Sequence, residues 1–111
     1  MAYQVKLTPN AIRQLQDTLV YISQTLQAPE VARSWSKRLE SRIASLCEMP
    51  FRYALVEEDP WHGEGVRKMP VENFIVYYWA DDSSSTVWVI AVIYGKRDQL
   101  SAFRNMPNDL T

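Results

Sequence analysis

The chain has 111 residues, 47% of them hydrophobic and 23% charged, which is enough for one packed domain, residues 1–111, and too apolar for a disordered chain. A formal net charge of −1 lacks the basic excess by which phosphate neutralisation supports an obligatory nucleic-acid partner. Cys47 is the single cysteine, so no intramolecular disulfide forms, and no apolar run reaches the length of a bilayer span. The opening MAYQVKLTPN has no charged segment leading into an apolar run, so no signal peptide is expected, and a soluble cytoplasmic protein is.

Tyr3 to Leu7 alternates apolar and polar, the pattern of a half-buried strand. Thr8-Pro9 suits a helix start, because the threonine hydroxyl can accept from a free backbone N–H and proline loses nothing at the first helical position. Ile12, Leu15, Leu19, Ile22 and Leu26 then draw one apolar stripe and predict a helix over residues 9–26. Pro29 opens a second helix with the stripe Ala32, Trp35, Leu39, Ile43 and Leu46, ending before Pro50. Together they read as a helical hairpin with one buried side.

Residues 49–65 contain Pro50, Pro60, Gly63, Gly65 and the acidic run Glu57-Glu58-Asp59, and read as a surface loop. Three strands follow, over residues 66–71, 73–80 and 86–94. The polar turn Asp81 to Ser85 joins the last two as an antiparallel hairpin. Leu100 to Asn105 reads as a last helical turn or a tail.

The central strands are apolar on both parities. Phe74, Val76 and Tyr78 alternate with Ile75, Tyr77 and Trp79; Val87, Val89, Ala91 and Ile93 alternate with Trp88, Ile90, Val92 and Tyr94. A sheet with one face in water alternates with polar residues. The second face therefore needs a cover, either the chain's own loop or a partner. Tyr77, Trp79, Trp88 and Tyr94, with Lys96 and Arg97 at the strand exit, are the candidate partner-binding residues.

Other chemistry finds little material. His62 and Cys47 are each alone, with no metal-ligand spacing and no nucleophile motif, and Gly63, Gly65 and Gly95 form no phosphate loop, so neither metal nor cofactor is expected. The remaining signal is a set of cations at the sheet ends, Arg67, Lys68, Lys96, Arg97 and Arg104. Arginine can bind phosphate or carboxylate through two parallel bonds, and charged edge residues also discourage sheet-to-sheet association.

The order of elements, with Val5-Lys6-Leu7-Thr8-Pro9, Leu46-Cys47-Glu48-Met49-Pro50, Met69-Pro70-Val71-Glu72-Asn73-Phe74-Ile75-Val76-Tyr77-Tyr78 and Val92-Ile93-Tyr94-Gly95-Lys96-Arg97-Asp98, resembles the RelE/ParE toxins of bacterial type II toxin–antitoxin modules over nearly the whole chain. The resemblance implies a two-layer α+β fold: an N-terminal strand, a helical hairpin, then a three-strand antiparallel meander completing a four-stranded antiparallel sheet. It implies an antitoxin that wraps the toxin in a hetero-oligomer, as in plasmid stabilisation modules.

Two activities occur in such toxins. RelE-like members cut messenger RNA on the ribosome; ParE-like members inhibit DNA gyrase. Arg97 matches a RelE-type catalytic arginine, and Arg67 and Lys68 could join it in holding phosphate. Ile75 stands where RelE-type sequences carry another arginine, and Phe103 stands near the place of their C-terminal tyrosine. Cleavage through the 2′-hydroxyl needs a proton acceptor and a proton donor, and no acid–base pair is evident. The sequence therefore reads as a ParE-like gyrase inhibitor, with a ribosome-dependent endoribonuclease as the alternative and a degenerate, non-toxic member as the second.

Overall fold

The computed structural model describes residues 2–25, 27–72 and 74–94. Lys96, Arg97, Phe103 and Arg104, and the turn expected over residues 100–105, lie outside them. Strand β1 is Gln4–Leu7, helix α1 Pro9–Val20 and helix α2 Pro29–Ala44; strands β2, β3 and β4 are Arg67–Val71, Phe74–Asp81 and Thr86–Tyr94. Among the described residues no helix is long and apolar enough to cross a membrane.

The sheet order is β1-β4-β3-β2. The β2–β3–β4 meander is antiparallel as expected, but β1 pairs with β4 in parallel, from Gln4 opposite Thr86 to Leu7 opposite Val89. The expectation of an all-antiparallel sheet is corrected accordingly. Parallel pairing needs a long crossover, and the two helices between β1 and the meander supply one.

α1 starts as the sequence predicts. Thr8 accepts from the Ala11 N–H at 3.2 Å, with Pro9 in the first turn. The α-helix is shorter than expected, because residues Tyr21–Thr25 form π-helical turns. Its buried stripe also begins elsewhere: Ala11 is fully buried whereas Ile12 is exposed. The small alanine brings the first turn close to β4, where Asn10 Nδ2 donates to the Ile90 carbonyl at 2.9 Å.

That contact belongs to a wider device. β1 ends opposite Val89, so the rest of the β4 edge has no strand beside it. The Thr8 N–H donates to the Val89 carbonyl at 3.0 Å, Asn10 to the Ile90 carbonyl, and the Val92 N–H donates to Gln14 Oε1 at 2.8 Å. Side chains of α1 thus continue the ladder that β1 leaves unfinished, sparing β4 the cost of unpaired buried backbone groups.

The strict alternation expected of β4 fails at a bulge. Tyr77 pairs with Ala91 but Tyr78 pairs with Val89, leaving Ile90 as an extra residue. Ile90 therefore joins Ala91 and Ile93 on one face, while Val92 joins Val87 and Val89 on the other.

The face toward the helices holds the main core: Trp35, Leu39, Ile43 and Leu46 pack on Met69, Val71, Phe74, Val76, Tyr78, Val87, Val89 and Val92. Trp35 lies against Phe74 with ring centroids 4.3 Å apart. Tyr78 is fully buried and its hydroxyl donates to the Pro50 carbonyl at 2.5 Å. Burial pushes that phenol up to about 12, so it stays a proton donor.

Candidate partner-binding site

The second sheet face is closed largely by the chain itself. Val56, Trp61 and Val66 of the irregular segment cover Tyr77, Ile90, Ala91 and Ile93. The segment is held by Val56 N–H to the Val66 carbonyl at 2.8 Å and Val66 N–H to the Trp61 carbonyl at 3.0 Å. His62 Nδ1 lies 2.8 Å from the Val56 carbonyl, so the lone histidine secures this cover. Gly65, at φ +81°, passes beside the Trp79 indole, where an added Cβ would sit 3.6 Å from Cδ1. The stretch read as a surface loop is thus in part a core element.

The proposed aromatic anchors are consequently not equivalent. Tyr77 is only 4% exposed, beneath the loop. Trp79 and Trp88 are opposite each other in the ladder and half-buried, with Lys6 Nζ 5.6 Å from the Trp88 ring centroid. Tyr94 pairs with Phe74 at the end of the β3–β4 ladder. What remains open on the second face is a strip around Lys6, Trp79 and Trp88, with half-buried Ile75 at the other end of β3.

A second opening lies on the helix side. α1, α2 and β1 border a groove of about 370 Å³ lined by Val5, Leu7, Leu15, Leu19, Ser36, Leu39, Glu40, Ile43 and Ala44. Val5, Leu7, Leu15 and Leu19 are only half-buried on its walls. An apolar slot of this kind, with few polar groups, suits the apolar side of an amphipathic segment.

The candidate phosphate-binding cations are separated. Arg67 pairs with Tyr78 and Lys68 with Tyr77, so the two belong to opposite faces of the sheet. Arg67 is turned back on its own chain. Its Nη1 donates to the Phe51 and Tyr53 carbonyls at 3.3 and 2.7 Å, and its guanidinium lies 5.2 Å from the Phe51 ring centroid. Arg97 lies outside the described residues. Among the described residues no group of three or more His, Cys, Asp or Glu could hold a metal ion.

Sequence reasoning passed over Arg42 and Arg52, which gather with Arg67 around Tyr53. Arg42 Nη2 lies 3.3 Å from the Tyr53 hydroxyl and from the Pro70 carbonyl. Arg52 stands over the Tyr53 ring at 5.1 Å, and bonds the Glu48 carbonyl and Ser45 Oγ. The Arg42 hydrogen bond, aided by Arg52, holds the Tyr53 phenol below its ordinary value. Aromatic and basic residues interleaved in Phe51-Arg52-Tyr53 were the available signal.

Residues 5–99 match the family described as ParE toxin of the type II toxin–antitoxin system parDE. In structure the chain is similar to the chromosomal ParDE toxin–antitoxin system of P. aeruginosa, with a TM-score of 0.68 and 17% identity over 84% of this chain and 96% of that one. It is also similar to the RelBE2 toxin–antitoxin complex of Mycobacterium tuberculosis (TM-score 0.60, 19% identity, 85% of this chain and 92% of that one). The isolated E. coli RelE toxin gives a TM-score of 0.58 at 16% identity, over 93% of this chain and 95% of that one. No curated protein matches the chain in sequence.

Proposed function

The chain belongs to the ParE toxin family of type II toxin–antitoxin systems, and from that premise we propose that it arrests growth by binding DNA gyrase and is neutralised by a cognate antitoxin. The observation that carries the choice of binding over RNA cleavage is the separation of Arg67 from Lys68. A phosphorane needs its cations converging on one point. Here the adjacent strand residues Arg67 and Lys68 belong to opposite faces of the sheet. Ile75, which resembles an arginine position of the ribonucleases, lies half-buried against the apolar second-face cluster.

The antitoxin contacts the groove between α1, α2 and β1. Four half-buried apolar side chains line it and no segment of the described chain fills it. The aromatic strip at Trp79 and Trp88 is a secondary contact, since Tyr77 already lies under the loop. The reading is supported by structural relatives that are themselves toxin–antitoxin complexes.

The deciding experiment is induction without antitoxin, followed by primer extension on messenger RNA and by plasmid topology. Relaxed plasmid with intact messages is expected. In-frame cuts in messages within minutes would overturn the gyrase reading, and normal growth would point to the non-toxic alternative.

A further inference from the structure

The arginine cluster at the end of α2 has no part in the function proposed above. Arg42 and Arg52 contact the Tyr53 side chain and Arg67 its carbonyl, and among the described residues none of the three makes an ion pair; Glu30 pairs with Arg33 and Glu72 with Arg38. Two positive charges at the Tyr53 side chain and a third over the neighbouring Phe51 ring, in a chain of net charge −1, are a local concentration. Each guanidinium carries five N–H donors, and the backbone and side-chain acceptors found here engage only one or two nitrogens of each. The hydrogen-bond acceptors are neutral, so they position the arginines without cancelling their charge; Glu72, held by Arg38, offsets part of the charge on Arg42 alone.

Apolar surface adjoins the charge. Phe51 is 45% exposed and Met49 72%. Phe51 is held in place by Arg67 on its face and by Tyr3, whose ring meets it edge-on at 6.2 Å. Tyr53 in turn meets the buried Tyr78 edge-on at 6.5 Å, so the cluster is anchored to the core. Fixed arginines beside exposed, supported aromatics are the composition of energetically important interface residues.

We propose that the Arg42–Arg52–Arg67 cluster, with Phe51 and Met49, is a docking site for an acidic peptide segment of a protein partner, whose carboxylates meet the arginines and whose neighbouring apolar residue covers Phe51. A nucleic-acid strand is the weaker occupant. Phosphate contacts gain from an extended basic surface, whereas this patch is compact and the protein slightly acidic. The inference does not depend on gyrase being the target.

The test uses the wild-type chain and a labelled 12-residue peptide of Glu, Ala and Leu, against the same peptide with Gln for Glu, and against an oligothymidine strand. Titrations are read by fluorescence anisotropy at low and moderate salt. Arginine side-chain NMR signals of Arg42 and Arg52 locate the contact, so folding of a variant is not at issue. The Glu peptide is expected to bind at least tenfold more tightly than the Gln peptide, more weakly as salt rises, and to shift both arginine signals. Equal affinity for the two peptides, unshifted arginine signals, or tighter binding of oligothymidine at these signals overturns the proposal. In Arg42→Gln/Arg52→Gln, shown folded by circular dichroism, the Glu peptide loses its tenfold advantage; retention of that advantage also overturns it.

Discussion

The helix-covered and loop-covered faces of the sheet bury similar side chains under different kinds of cover. On one face, two regular helices bring Trp35, Leu39 and Ile43 down on Phe74, Val76 and Tyr78. On the other, an irregular segment lays Val56 and Trp61 over Tyr77, Ile90 and Ile93. The regular cover nevertheless leaves an open slot between its helices, while the irregular one seals Tyr77 to 4% exposure. Regularity of a cover and completeness of burial are therefore separate matters: the groove lies beneath the more orderly layer, while the irregular one leaves only the strip at Trp79 and Trp88 half-buried.

The difference can be broken most severely at Tyr78. Replacing it by alanine removes a fully buried ring and leaves the Pro50 carbonyl without its donor. Urea unfolding of Tyr78→Ala should show a loss of about 3–5 kcal/mol. Trp79→Ala, on the half-buried strip of the other face, should cost clearly less. Equal losses at the two positions would remove the distinction between the faces.

Trp61→Ala tests the loop cover directly. A loss of about 2–3 kcal/mol is expected from removing the apolar area that this one large side chain buries. Increased binding of a hydrophobic dye should accompany it, because Tyr77 and Ile90 lose their lid. Unchanged stability and dye binding would show that the segment is not part of the core.

Much of this architecture was legible in the residues. The spacing of Leu15, Leu19, Leu39 and Ile43 marks the helices, and the double apolar parity of β3 and β4 states that both faces are covered. What covers the second face was not legible, because Val56 and Trp61 sit in a segment without period and with acids at its tip. The bulge at Ile90 was not legible either, since a single extra residue among Val, Ile and Ala changes no local pattern. The groove depends on how far apart two helices stand, which neither stripe encodes. For the site, the opposed directions of Arg67 and Lys68 follow from their adjacency in a strand, but the carbonyls that occupy Arg67 come from residues 51 and 53, remote in sequence.

A smaller effect sharpens how the helix layer is attached. Asn10→Ala leaves the Ile90 carbonyl without its best donor and should lower stability by about 1 kcal/mol, read by denaturant titration. Retained stability would mean that Thr8, 3.4 Å from the same carbonyl, suffices. The slightest effect is expected at the Arg38–Glu72 pair, which ties α2 to the β2–β3 turn at 2.7 Å. The Arg38 hydrogen bond holds the Glu72 carboxyl below its ordinary value of 4.5. The stabilisation is therefore complete above that value and lost as pH falls through the lower folded one. Acid titration of Glu72→Gln should lack this increment, and an unchanged profile would assign the pair no role.

The central claim is that the chain closes its own aromatic face and leaves the groove for its antitoxin. Hydrogen exchange on the chain alone and in complex with its cognate antitoxin tests this most directly. Protection gained in β1, at Val5 and Leu7, and in the facing turns of α1 and α2, with Tyr77 and Ile90 unchanged, is the predicted result. Protection gained at Tyr77–Trp79 and Trp88, with β1 and both helices unchanged, would contradict it.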